Sequence, residues 1–413
     1  MAGHIQDRWY KTSIALDGKT TKVKSDRHGS GLRYRARYVG PDGTEKSKAF
    51  RDGQKRLAEQ WLAQIEADMT RGQYVDPRAG RITFRQYAEK WLKTLGSEPS
   101  TVASMESQLR LHAFPYIGAR PLGAFQPEHV REWVATLEQR GVPGTYARAI
   151  YSNVRAVLSA AVDDKYLSRN PCSVRSVKQP VVERKRVVPW LAERVFAVQA
   201  AMPERYQAMI DLGAGCGMRQ SEILGMTVDA LDFETGTLHV VQQLKLSRSK
   251  PVFAPPKGGK LRDVPLPGPV ADALKAHMKR YAPVEITLPW RRADGPEMTK
   301  RLIFTAPRGN HVWRTSLNDG AWKPALVAAG VIPEPETKED SYAAAREHGM
   351  HALRHFYASA LLDGGENIKA VSEYLGHSDP AMTLRVYAHL MPSSRERTRK
   401  AIATAYGRGP IRG

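Results

Sequence analysis

Cysteine is scarce: Cys172 and Cys216 are the only two in 413 residues. That is too few for a disulfide framework or a multi-cysteine zinc site, and it fits a reducing compartment. No apolar run approaches the roughly 18 residues of a membrane span. The opening MAGHIQDRWYKTS has no apolar centre of the signal-peptide kind. A cytoplasmic location without membrane contact is the expectation. Acid is also in short supply, with 42 Asp+Glu against 63 Lys+Arg and a net charge of +21. So large an excess favours a polyanionic partner, nucleic acid before an anionic membrane. No acidic cluster or His/Cys spacing suggests a metal, and no cofactor is expected. What is present in quantity is apolar material, 42% of the chain, enough for real cores and too much for wholesale disorder.

The length is that of two to three domains as a soft prior. In residues 1–75, Leu32, Tyr34, Ala36 and Tyr38 alternate with Arg33, Arg35 and Arg37. Period two predicts a strand with one apolar and one arginine face. Pro41-Asp42-Gly43 supplies a turn, and a second strand follows to Phe50. An earlier strand is expected from Trp9 to Leu16, turning at Asp17-Gly18. From Gln54 to Met69 the period becomes helical, with Leu57, Trp61, Leu62, Ile65 and Met69 on one face. This is a small three-stranded sheet with one helix. Thr21 to Arg56 holds 11 Lys/Arg against 4 Asp/Glu, and the arginine alternation points to a β-sheet DNA reader. Solvated surface charge is the blander explanation.

After a Gly/Pro linker at Arg71–Arg81, residues 82–172 read as an all-α bundle. Helices are expected around Phe84–Leu92, Ser100–Leu111, Pro127–Gln139 and Tyr146–Val162, the last with Ile150, Val154, Val157, Leu158 and Ala161 inward. A basic linker, 173–188, carries Lys178, Arg184, Lys185 and Arg186, as a tether wrapping a rod of phosphate would. Residues 189–413 form a mixed, mainly helical unit with a small antiparallel sheet. The chain is thus expected to be multidomain α+β.

Within the last unit, small residues in LGAGCGMRQSEILGM lead to Arg219, with Glu222 three residues on, where it can orient the guanidinium. Lys257 sits in PPKGGKLRDVPL on a glycine-backed turn, with Lys260 close behind. His351 and Arg354 share a helix face in GMHALRHFYASA. His377 follows Leu375-Gly376, and Tyr387 lies ten residues later. Taken singly, each has an ordinary structural explanation: a solvent lysine, a core tyrosine, a satisfied histidine.

In this order the six residues resemble the tyrosine recombinase family, the phage-type integrases. The segments Glu285–Arg301 and Pro333–Arg346 read as insertions against that pattern. The resemblance implies an arm-type DNA-binding domain, a helical core-binding domain and a catalytic domain, acting on double-stranded DNA at attachment sites. Tyr387 would attack phosphorus and hold the strand as a 3′-phosphotyrosine, conserving the bond energy so that neither ATP nor metal is needed. Arg219 and Arg354 would grip the non-bridging oxygens. His377 would donate a hydrogen bond, His351 would accept the tyrosine proton, and Lys257 would protonate the leaving 5′-oxygen. Four strands to cut imply a homotetramer on DNA, assisted by a DNA-bending host factor and an excision directionality factor. The tail Ser393–Tyr406 is a candidate for packing on a neighbouring copy, or on its own domain. The alternatives are a type IB topoisomerase-like relaxing enzyme, a catalytically inactive DNA-binding regulator and a metal-dependent nuclease. An arm-like domain argues against the first, the full set of six against the second, and the lack of clustered carboxylates against the third.

Overall fold

The structure, a computed structural model, describes residues 3–14, 20–72, 74–76, 79–182, 187–247, 249–337, 342, 346–377, 379–387, 399, 402 and 406. The chain divides into two compact units, 1–183 and 184–413.

The first unit carries two separate cores. Strands β1 (His4–Asp7), β4 (Tyr34–Val39) and β5 (Glu45–Phe50) form an antiparallel sheet in the order β1-β4-β5, while β2 (Tyr10–Ile14) and β3 (Thr20–Lys24) form a hairpin of their own. The third strand of the sheet is therefore β1, not the expected Trp9–Leu16. A strand has two edges, and β1 and β5 occupy both edges of β4. Leu16 and the Asp17-Gly18 turn lie outside the described residues. The period-two reading of β4 holds: Tyr34, Ala36 and Tyr38 are buried, and the arginines between them are not. Helix α1 (Lys55–Thr70) covers this face through Ala58, Leu62 and Ile65. Leu57 was expected inward but is 51% exposed. It lies one residue, or about 100°, around from the Ala58–Leu62–Ile65 stripe.

The second core is the helical bundle: α2 (Phe84–Thr94), α3 (Pro99–His112), the short α4 (Phe114–Ile117), α5 (Pro127–Gln139) and α6 (Gly144–Asp163). Thr83 and Gln86 close a capping box at the start of α2, satisfying two amides that would otherwise be orphaned. Pro127 takes the first position of α5, where a missing N–H costs nothing. All five residues expected inward on α6 are buried. Trp133 is 2% exposed, and its indole donates to the His112 carbonyl at 2.7 Å. The bundle runs past its expected end at residue 172: Val177 is also buried in this core.

The second unit begins with α7 (Ala192–Ala201), α8 (Glu204–Gly215) and α9 (Gln220–Leu224). Its β structure is in three pieces rather than one sheet. β6 (Leu231–Asp232), β7 (Thr237–Val240) and β10 (Arg262–Pro265) pair in the order β10-β7-β6; β8 (Gln243–Ser247) pairs with β9 (Lys250–Ala254); β11 (Val284–Pro289) pairs with β12 (Glu297–Leu302). The first segment expected as an insertion, Glu285–Arg301, lies within the β11–β12 hairpin. Residues 338–341 and 343–345 of the second lie outside the described residues. Helix α10 (Gly268–Arg280) separates β10 from β11, and α11 (Arg314–Leu317) and α12 (Lys323–Ala328) follow β12. Helices α13 (His351–Asp363), α14 (Ile368–Leu375) and α15 (Pro380–Tyr387) complete the unit. Leu212, Leu353, Val371 and Leu375 are fully buried in its core. Among the described residues no helix is long and apolar enough to cross a membrane.

Candidate active site

Four chain segments far apart in sequence meet at the buried carboxylate of Glu222 and the backbone carbonyl of Leu375. Arg219 caps α9. Its Nη1 donates to Glu222 Oε1 at 2.8 Å, its backbone N–H donates to Glu222 Oε2 at 3.0 Å, and its Nη2 reaches the Leu375 carbonyl at 3.2 Å. Glycine at 217 makes this approach possible. Its φ is +62°, and a Cβ there would stand 2.4 Å from the Tyr357 ring. Arg354, 1% exposed on α13, donates to the Gly217 carbonyl at 2.7 Å and also to the Leu375 carbonyl. That carbonyl ends α14, whose C-terminal partial charge suits two guanidiniums. Gly376 then caps the helix in the left-handed region at φ +61° and turns the chain toward His377.

Glu222 is fully buried, and sequence reasoning found only half of its role. Arg262, on β10, donates to both of its oxygens at 3.0 and 2.7 Å. Burial pushes the carboxyl up, but the Arg262 hydrogen bonds, then the charges of Arg262 and Arg219, outweigh it and hold it at about 2. The balance is three guanidiniums against one carboxylate. Burial, followed by the Arg219 and Arg262 charges, lowers Arg354 to about 9, still cationic at neutral pH. The site therefore keeps an excess of fixed positive charge, the arrangement that an anionic phosphorane needs.

His377 Nδ1 pairs with the buried Thr383 hydroxyl at 2.7 Å. Burial, then Arg354, Arg219 and Arg262, lowers this histidine to about 4. Tyr387 ends α15 and is 1% exposed; burial raises its phenol to about 12, with Arg354 opposing. Its hydroxyl lies 2.6 Å from Nδ1 of His355. The structure thus brings His355, rather than the expected His351, to the tyrosine. His351 opens α13 and is the more exposed residue of the two, though burial and the neighbouring His355, Arg354, Arg219 and His377 still lower its imidazole; one helical turn separates it from the position that faces α15. The two imidazoles stand edge to face, 4.7 Å between centroids.

Lys257 stands exposed on the turn after β9, where Gly258 and Gly259 both have positive φ. Lys260 is tied to the site more directly, donating to the His377 carbonyl at 3.1 Å. Arg262 and Thr383 were not singled out from sequence, and His355 stood in the His351–His355 motif without a role. An arginine one step into a strand, or a histidine four residues after another, gives little signal without the packing that brings it inward. Among the described residues no group of three or more His, Cys, Asp or Glu could hold a metal ion.

The residues expected to read DNA elsewhere are placed differently. Arg33 forks onto Asp7 at 2.9–3.2 Å and onto Asp52 at 2.9 Å, under the rings of Trp9, Tyr10 and Tyr34. Arg37 pairs with Glu45 at 2.9 Å, whereas among the described residues the Arg35 side chain hydrogen-bonds the Ser47 hydroxyl at 3.1 Å and meets no carboxylate. Lys178 lies on the described part of the tether. Arg184, Lys185 and Arg186 lie outside the described residues, as does most of the Ser393–Tyr406 tail; within it, Ile402 and Tyr406 are exposed.

Comparison with known proteins gives a consistent picture. Residues 192–393 match the model of the phage integrase family, and residues 84–176 that of the phage integrase central domain. A putative prophage phiRv2 integrase of Mycobacterium tuberculosis is 26% identical, covering 86% of this chain and 88% of its own. A tyrosine recombinase XerC-like protein of Caldanaerobacter subterraneus is 27% identical, covering 64% and 68%. Among solved structures, the Tn1549 transposon integrase in complex with a circular intermediate DNA superposes with a TM-score of 0.64 at 20% identity. It covers 78% of this chain and 100% of its own. A lambda integrase tetramer bound to a Holliday junction gives 0.52 at 15% identity, covering 89% and 96%.

Proposed function

The chain belongs to the phage integrase family of tyrosine recombinases, and from that premise we propose that it cuts and rejoins DNA strands at attachment sites through a phosphotyrosine on Tyr387. The observation that carries this reading is the convergence of Arg219, Arg354, His377 and Tyr387 from four segments of chain onto one cationic pocket. The arginines would grip the two non-bridging oxygens, most strongly when the phosphorane carries its extra charge. Carbonyl and carboxylate acceptors hold them in place beforehand, so little reorganisation accompanies the reaction. His377, fixed by Thr383, would donate the third hydrogen bond. A lysine of the 257–260 turn would protonate the leaving 5′-oxygen; Lys257 is free to reach outward, and Lys260 is its rival. The tyrosyl ester stores the energy of the broken diester, so a 5′-hydroxyl reverses the reaction without ATP.

Residues 1–75 would read an arm-type sequence, and residues 82–172 with 189–413 would close on the core site, tied by the basic tether at 173–188. Cutting four strands would take a homotetramer on two sites. A host bending factor and an excision directionality factor would assist, in the cytoplasm where the chromosome lies. The experiment is a suicide attachment-site duplex incubated in EDTA. The wild-type protein should give a denaturation-resistant adduct and joined products; Tyr387→Phe should bind DNA equally well and give neither. An adduct in that variant would move the nucleophile elsewhere, and binding with no adduct from the wild type would leave a DNA-binding regulator.

A further inference from the structure

Among the described residues, the Tyr387 hydroxyl has a single hydrogen-bond partner, His355 Nδ1 at 2.6 Å, with the rings 5.6 Å apart and inclined at 62°. Resting on the reading of Tyr387 as nucleophile, we propose that His355, not His351, is the proton acceptor in DNA cleavage and the proton donor in rejoining. Distance is within reach for direct transfer. The groups around His355 are the Tyr387 phenol from α15, His351 and Arg354 on its own helix, and His377 beyond α14. None is a carboxylate that would favour a permanently charged imidazole. Burial, then the Arg354 charge, lowers the imidazole to about 4, so at neutral pH one ring nitrogen carries a lone pair; the proposal requires that nitrogen to be Nδ1, with the hydrogen on Nε2.

The step balances. The Tyr387 O–H bond breaks and its proton passes to His355 Nδ1. The phenolic oxygen forms the bond to phosphorus, the bond from phosphorus to the 5′-oxygen breaks, and that oxygen takes a proton from the lysine turn. The imidazolium formed next to Arg354 is unfavourable alone, but it forms only as the phosphorane gains a negative charge beside both. Rejoining runs each transfer backward, and the proton on His355 returns to the tyrosine.

The test is single-turnover adduct formation on the suicide duplex between pH 6 and 8, with wild type, His355→Asn, His351→Asn and Tyr387→Phe. Asparagine places a carbonyl oxygen near the Nδ1 position: it can accept the hydrogen bond but not the proton. His355→Asn should bind DNA normally and lose about 10²–10⁴-fold in rate. What remains should rise about tenfold per pH unit, because only pre-ionised phenol reacts, while the wild-type rate stays flat. His351→Asn should keep the flat profile. His355→Ala should regain cleavage on adding imidazole, in proportion to its neutral form, which protects the result against a simple packing defect. A flat, near wild-type rate in His355→Asn, or the pH-dependent loss appearing in His351→Asn instead, overturns the proposal while leaving the recombinase reading intact. No adduct from wild type defeats both.

Discussion

The arginines of the first sheet and those of the catalytic pocket are held in opposite ways. Arg33 and Arg37 face carboxylates of their own domain, with three acids for two cations. Arg219 and Arg262 share one carboxylate and otherwise donate to backbone carbonyls, and Arg354 donates to backbone carbonyls alone. A carboxylate cancels a charge, whereas a carbonyl orients it and leaves most of it available. The first arrangement builds a domain; the second builds a seat for an anion. An arginine count along the sequence cannot tell them apart.

The sharpest way to break this contrast is at Arg354. Arg354→Ala should reduce adduct formation by about 10²–10³-fold, the ~3 kcal/mol typical of a removed oxyanion donor, with DNA affinity little changed in a gel-shift assay. Arg354→Lys should recover little, because an ammonium lacks the fork that reaches the Gly217 and Leu375 carbonyls. Full activity in the lysine variant would put Arg354 with the domain-building arginines.

Glu222→Gln comes next. It leaves buried Arg262 without its counter-charge, which costs about 3–5 kcal/mol in comparable pairs, readable as a lower denaturant midpoint of the second unit. The same pair sets an acid limit. The Glu222 carboxyl is depressed from 4.5 to about 2, so its contribution is present in full above the ordinary carboxylate range and is lost as pH falls from there toward 2. Between pH 6 and 8 that contribution should not change.

Smallest is the effect expected within the first sheet, where the contrast is sharpened between neighbours. Arg33→Ala should lower the melting temperature of this domain, because Asp7 and Asp52 lose their shared partner. Arg35→Ala should leave the melting temperature unchanged but weaken arm-site binding, reducing the salt slope by about 0.9 if one phosphate contact is lost. The reverse outcome would mean that the arginine with a satisfied carboxylate pair is the DNA reader.

What was legible in the sequence follows from how local each signal is. Helix α5 was read to its terminal residues, Pro127 and Gln139, because proline and the apolar period speak within one helix. Arg219, Arg354 and Tyr387 stood out only as an ordered set resembling the family's motifs, since each alone had an ordinary structural explanation. His355 was in view but without a role, since its meaning comes from α15, 32 residues away in sequence. Arg262 was hidden for the same reason, as its partner Glu222 lies 40 residues upstream. Strand β1 was missed because four residues with alternating partial exposure make too short a pattern to register.

One backbone oxygen, that of Leu375, accepts from both Arg219 and Arg354. A shared acceptor ties the two donors together. If the end of α14 moves by an ångström, both guanidiniums lose this acceptor at once, while Glu222 still holds Arg219 and the Gly217 carbonyl still holds Arg354. The shared acceptor couples the two grips, so that a disturbance at this one backbone atom should be felt by both arginines. A change as small as Gly376→Ala, which strains the αL cap at the end of α14, should therefore weaken both arginines together rather than one alone.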